Sequence, residues 1–197
     1  MIKLLSILKE ITFKEPIGQG SEHIIYPYSK DPNKVIKTFD PDERESIDKD
    51  QITTFQKHPD IFPIVYKVTD KYAILDKLNT KKVIDELEKL EAEFFNLKWK
   101  SNKKRKYSIL LDDLMEDDNL EGIDFIGKLY HLIQKTPSSS LKKELDTLSS
   151  FTQNPKLLKK WIDFLIKLSS IMGQTELDMH AEQFGYDSEE NLKLLDI

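Results

Sequence analysis

The sequence predicts an α+β chain of two lobes: a small antiparallel β lobe carrying one helix, then a mainly helical lobe that ends in a β-hairpin. Three observations predict it. Residues 1–78 alternate short runs rich in β-branched and aromatic residues with turn-forming clusters. After Leu78 the apolar residues recur every three or four positions, the period of a helix. The last stretch, "LDMHAEQFGYDSEENLKLLDI", returns to short apolar runs around a polar turn and gathers Asp, His and Gln side chains. The lobes are therefore expected at 1–78 and 79–197.

Taken in order, Ile11–Ile17 is a strand candidate, followed by the glycine punctuation "IGQGSE" and a second strand, "HIIYPY". "SKDPNK" is a turn by composition, and "KVIKTF" is a short, largely apolar strand with Lys37 inside it. "DPDERESIDKDQITTFQKHPD" opens with Asp40 as N-cap and Pro41 in the first turn, and its helix should stop before Pro59. "IFPIVYKVTDKYAILDKL" gives two more strands around "TDK". Beyond it, Val83, Ile84, Leu87, Leu90, Phe94 and Leu97 trace a helix. Further helices are expected at Asp118–Gln134 and Ser140–Phe151, with "TPSSS" a linker or a helix entry. In "NPKLLKKWIDFLIKLSSIMG", Asn154 is the expected N-cap, Pro155 the first position and Gly173 the stop. "FGY" and "LKLLDI" are hairpin strands around "DSEEN", where Asn191 suits the left-handed turn conformation.

Composition narrows the function. The chain has 197 residues, 39% hydrophobic and 33% charged, which suits a globular protein with a real core. A formal charge of −5 gives no electrostatic reason to expect nucleic acid. The absence of cysteine excludes disulfides, thiolate metal sites and a Cys nucleophile, and suits a reducing cytoplasm. "MIKLLSILKEITF" lacks the apolar stretch and cleavage site of a signal peptide, and no run reaches the ~18 uninterrupted apolar residues of a membrane span. "KWKSNKKRKY" is basic, but "LDDLMEDDNLEGID" follows directly, so the pair reads as a solvated, charge-paired surface.

The order of the remaining parts resembles the protein-kinase-like superfamily, in the style of its aminoglycoside-phosphotransferase and phage-type branches. "IGQGSEHIIY" resembles the glycine-rich loop, with Gly18 and Gly20 in place, and "VIK" resembles the lysine motif of the third strand, Lys37. "AILDKLN" is similar to the hinge, whose backbone near Asp76 and Leu78 would meet an adenine ring. "DMHAEQ" resembles the loop pattern of Asp, any residue, His, two more and Asn; "LKLLDI" resembles the strand delivering the metal-binding Asp. Taken singly, "GQG" is a hairpin turn, Lys37 a solvated lysine, His180 a loop histidine and Asp196 a terminal acid. Their joint order is what carries the likeness, over roughly half the residues.

That resemblance implies ATP and Mg²⁺ as cofactors and a hydroxyl acceptor, on a small molecule or a protein, as partner. Asp178 would orient the acceptor, with His180 bracing its loop; Gln183 and Asp196 would hold the metal, and Lys37 the phosphates. Compact chains of this kind resemble bacteriophage-encoded proteins, which implies a host-cytoplasm or virion setting. Residues 79–153 match nothing in the family and offer a surface for a protein partner.

Departures favour a rival class, a pseudokinase kept as a binding or structural module. His23 stands where the third loop glycine belongs, and Gln183 stands for Asn, one methylene longer. The lysine's acidic partner is Asp48 or Asp50. One residue follows Asp196, so no peptide-docking platform is expected.

Overall fold

A computed structural model describes residues 15–19, 23–39, 49–69, 72–100, 125–150, 152–173, 177 and 179–195. Among them the chain is mixed α+β. Strands β1 (Gly18–Gln19), β2 (His23–Pro27) and β3 (Lys34–Phe39) precede helix α1 (Lys49–Lys57), then β4 (Val65–Val68) and β5 (Tyr72–Asp76). Helices α2 (Thr80–Lys100), α3 (Phe125–Lys135), α4 (Ser138–Ser149) and α5 (Pro155–Met172) follow. A 3₁₀ turn at Ala181–Gln183 leads into β6 (Phe184–Tyr186) and β7 (Leu192–Leu194), which form a two-stranded sheet. Two compact units result: residues 1–79 with 186–197, and residues 80–185.

The first unit is built on a five-stranded antiparallel sheet in the order β1-β2-β3-β5-β4. Alternation along each strand sorts its side chains onto two faces. Val35, Ala73 and Leu75 form one cluster, joined by Ile25 and Val65; Ile36, Tyr72 and Ile74 form the other, joined by Tyr26 and Tyr28. With both faces apolar, "KVIKTF" and "YAILD" read as near-continuous apolar runs. β4 carries a bulge between Val65 and Lys67 and borders the sheet. Phe55 of α1 stacks on Phe62 at 4.6 Å, which fastens the helix to the loop that follows it.

In the second unit, Val83, Leu87, Leu90 and Phe94 are the buried stripe of α2, and Leu158, Trp161, Ile162, Leu165 and Leu168 that of α5. Trp161 and Phe164 meet Phe184 edge-on at 5.4 and 6.0 Å. Glu93 of α2 ties down the α4–α5 connection. It accepts hydrogen bonds from the Thr152 hydroxyl, the Asn154 side-chain amide and, at 3.0 Å, the Gln153 N–H. Burial alone would raise the Glu93 carboxyl, but these donors and the Lys89 charge outweigh it and hold it below the usual range.

Several local expectations are corrected. The described part of Ile11–Ile17, residues 15–17, is not strand; β1 begins at Gly18. "TPSSS" is a helix entry, since α4 starts at Ser138 directly after Pro137. Asn154 stands at the N-cap of α5 without capping it, because its side chain is drawn to Glu93. Gly173 does end α5, with φ 67° and its N–H on the Ser169 carbonyl. The left-handed residue of the hairpin turn is Glu190 (φ 66°), not Asn191. The Asp187 carboxylate accepts from the Glu189 N–H, the Asn191 N–H and the Asn191 side chain, and this closes the turn around Glu190. Asp40 and the start of the first expected helix, like residues 118–124, lie outside the described residues.

Candidate functional site

The first unit brings three of the expected residues onto one sheet. Gly18 pairs with Ile25, Ile25 with Lys37, and Lys37 with Ala73, so a single cross-strand row runs through β1, β2, β3 and β5. Direct cross-strand partners share a face. Lys37 therefore stands on the face of Ile25, Val35, Ala73 and Leu75, on a strand with strands on both sides. Gly18 lies two strands away, about 10 Å at ordinary strand spacing. Gly20, and Asp48 of the two acidic candidates, lie outside the described residues; Asp50 is the second residue of α1.

The stretch expected as a hinge is more committed than its sequence suggests. The Asp76 N–H goes to the Ile64 carbonyl at 3.2 Å, and the Lys77 N–H to the Asn33 carbonyl at 2.7 Å. The Asp76 carboxylate, nearly buried, accepts from the Ile64 N–H at 2.9 Å and the Tyr66 hydroxyl at 2.8 Å. Burial and then this bond to Asp76 push the Tyr66 hydroxyl up to about 12. The Asp76 side chain thus braces the start of β4. Among the described residues the Leu78 N–H has no hydrogen-bond partner, which leaves it as a backbone donor just past β5. Asn79 then exchanges hydrogen bonds with Tyr186, N–H to carbonyl in both directions.

The loop of the second unit is closed on itself. The His180 N–H donates to Gln183 Oε1 at 2.9 Å, and the Gln183 N–H returns to the His180 carbonyl at 3.0 Å. The Gln183 amide oxygen is therefore a brace for its own turn, with one lone pair left. Asp178 and Asp196 lie outside the described residues. Among the described residues no three His, Asp or Glu side chains are grouped to hold a metal, and no helix is long and apolar enough to cross a membrane. The donors expected for a metal, Gln183 and Asp196, are one amide and one carboxylate, both oxygen, which suits a hard cation such as Mg²⁺ and no softer one.

Sequence reasoning missed Lys193. It is 4% exposed, donates to the Pro59 carbonyl, and lies 3.6 Å from the Asp187 carboxylate. Beside it the Leu194 N–H bonds the Ile61 carbonyl at 2.8 Å. Residues 186–197, expected with the helical lobe, pack through these contacts into the sheet unit. The available signal was a lysine inside "LKLL", a run otherwise wholly apolar.

No family model matches the chain, and no curated protein is significantly similar to it. Among solved structures it is similar to the ternary complex of streptomycin, ATP and APH(2'')-IIa, at 13% identity and a TM-score of 0.31, over 99% of this chain and 69% of that one. At that distance the family has to be argued from the residues of this chain.

Proposed function

We propose that the chain is a kinase-like ATP-binding protein that transfers the γ-phosphoryl group of ATP to a hydroxyl acceptor. One observation carries the reading. In the sheet order β1-β2-β3-β5-β4, Lys37 occupies the third strand in register with Gly18, on an apolar face. A nucleotide needs those features together: an apolar surface for its base, an N–H at the base edge, a backbone able to approach phosphate, and a fixed positive charge beside it. Ile25, Val35, Ala73 and Leu75 supply the first and the Leu78 N–H the second. The glycines Gly18 and Gly20 would supply the third and Lys37 the fourth.

Phosphoryl transfer asks the protein for positioning and charge more than for covalent chemistry. Asp196 and Gln183 would hold Mg²⁺, which when bound neutralises charge on the phosphates. Asp178 would accept the hydrogen bond of the acceptor hydroxyl and take its proton as the oxygen attacks. His180 holds that loop through its N–H bond to Gln183. The acceptor is a small molecule or an exposed protein hydroxyl, and a protein partner would use residues 79–153.

The second reading is a pseudokinase, the fold kept as a binding or structural module, as in a phage protein. It is favoured by Gln183 Oε1, already engaged by the His180 N–H.

Thermal unfolding with ATP separates the two. Ligand at a hundred times its Kd stabilises by about 2.7 kcal/mol; for a chain of this size that is a shift of roughly 5–10 °C. The Mg²⁺-dependent part should vanish in Asp196→Asn, and ATP turnover or autophosphorylation should vanish in Asp178→Ala. No shift at millimolar ATP would refute nucleotide binding. Turnover that survives Asp178→Ala would remove that residue from the chemistry.

A further inference from the structure

We propose that Lys193 is a positioning residue: its buried ammonium locks β7 onto the α1–β4 loop, so that the strand leading to Asp196 belongs to the same body as Lys37. This rests on the kinase-like reading above. Four observations within the first unit support it.

A lysine is seldom buried unless paired, and a buried ion pair is a weak stabiliser compared with packed apolar side chains of the same volume. Leu or Met would fill the middle of "LKLL" at less cost in desolvation. What the ammonium adds is direction, because it must find its acceptors. Lys193 finds the Pro59 carbonyl and the Asp187 carboxylate, with side chains 5% and 9% exposed. A slip of β7 by one residue would turn Lys193 to the other face of its strand and leave both acceptors behind.

The neighbouring contacts fix the same register. Leu194 donates its N–H to Ile61 at 2.8 Å, and Asp187 holds the turn end of the hairpin through three donors. The anchoring loop is itself firm. The N–H groups of Ile61 and Phe62 both bond the His58 carbonyl at 3.0 Å, and Phe62 stacks on Phe55 of α1. β7 is thereby fastened to α1 through residues 58–62.

Asp196 follows Lys193 by three residues in the sequence. Asp196, one of the two groups proposed for the metal, and Lys37, proposed for the phosphates, then belong to one unit. Lys193 itself touches no ligand in this scheme.

The test measures thermal shift with ATP in EDTA and with ATP plus Mg²⁺, on the full chain and on Lys193→Met. The variant should keep the metal-free ATP shift while its apparent affinity for Mg²⁺ in the presence of ATP falls at least tenfold. Asp187→Asn, which keeps one oxygen for the Glu189 and Asn191 N–H groups but loses the charge facing Lys193 and the acceptor of the Asn191 side chain, should show a smaller loss of the same kind. It is the informative variant if Lys193→Met does not fold. Hydrogen exchange at the Leu194 amide should quicken in both. A purely structural role would lower the melting temperature and leave the metal increment intact; that result overturns the proposal alone. A wild type with no Mg²⁺ increment overturns the kinase-like metal site and this proposal with it.

Discussion

Gly18→Ala separates fold from function, because the two effects carry opposite signs. Gly18 does not take a positive φ, so alanine is conformationally allowed there. A Cβ built at the position meets only Ile25, at 3.7 and 3.8 Å, which is ordinary van der Waals contact. Replacing a strand glycine under those conditions stabilises by about 0.4–1 kcal/mol, chiefly by restricting the unfolded chain. For a chain of this size the ligand-free protein should melt roughly 1–4 °C higher.

The added methyl stands on the face shared by Ile25 and Lys37, where the nucleotide would lie. A tenfold loss of ATP affinity is about 1.4 kcal/mol, which would shrink the ATP-induced shift by roughly 3–5 °C. The assay is thermal unfolding of both proteins at one fixed ATP concentration, with titration calorimetry for the affinity. A ligand-free variant that melts lower would refute the backbone and packing argument at Gly18. An ATP increment equal to wild type would refute the placement of Gly18 at the phosphates.

Two predictions concern the helical unit. The Glu93 carboxyl is held below its ordinary value of 4.5, so the stability it contributes is complete above that pH and is lost as pH falls through the lower folded-state value. Glu93→Gln should therefore cost about 1.5–3 kcal/mol near neutrality, toward the lower end because the site is only part-buried. The gap from wild type should close on acidification below 4.5, and a gap independent of pH in denaturant melts would contradict the assignment. Gly173→Ala should cost about 1–3 kcal/mol through backbone strain at φ 67° and ψ −135° alone, since a Cβ there has nothing within 4 Å. A neutral change in urea unfolding would refute the positive-φ stop of the helix.

The elements that were legible in the sequence are those whose signal is local. "KVIKTF" and "YAILD" announce buried strands because both of their faces are apolar, and the stripe from Val83 to Phe94 announces a helix by its period. Gly173 was readable for the same reason, as a residue chosen for its own backbone angle. Errors arose where a side chain had two possible partners. Asn154 has the chemistry of an N-cap, but Glu93, some sixty residues earlier, offers a charged acceptor and wins. Asn191 tolerates the left-handed conformation, yet Asp187 engages its N–H and its amide and passes the strain to Glu190.

Of the candidate site, the sequence by itself determined which chemical groups are present and in what order: glycine turn, strand lysine, hinge, polar loop, final acid. Only the tertiary structure decided that Gly18, Ile25, Lys37 and Ala73 share one row, since strand order depends on pairings between segments as far apart as residues 18 and 73. It likewise decided that Gln183 turns its amide oxygen back on His180, and that Lys193 is buried against Pro59, 134 positions away. Periodicity reports which face of an element is dry. It carries no information on which distant carbonyl will meet a buried charge, because that is fixed only when the whole set of contacts closes at once.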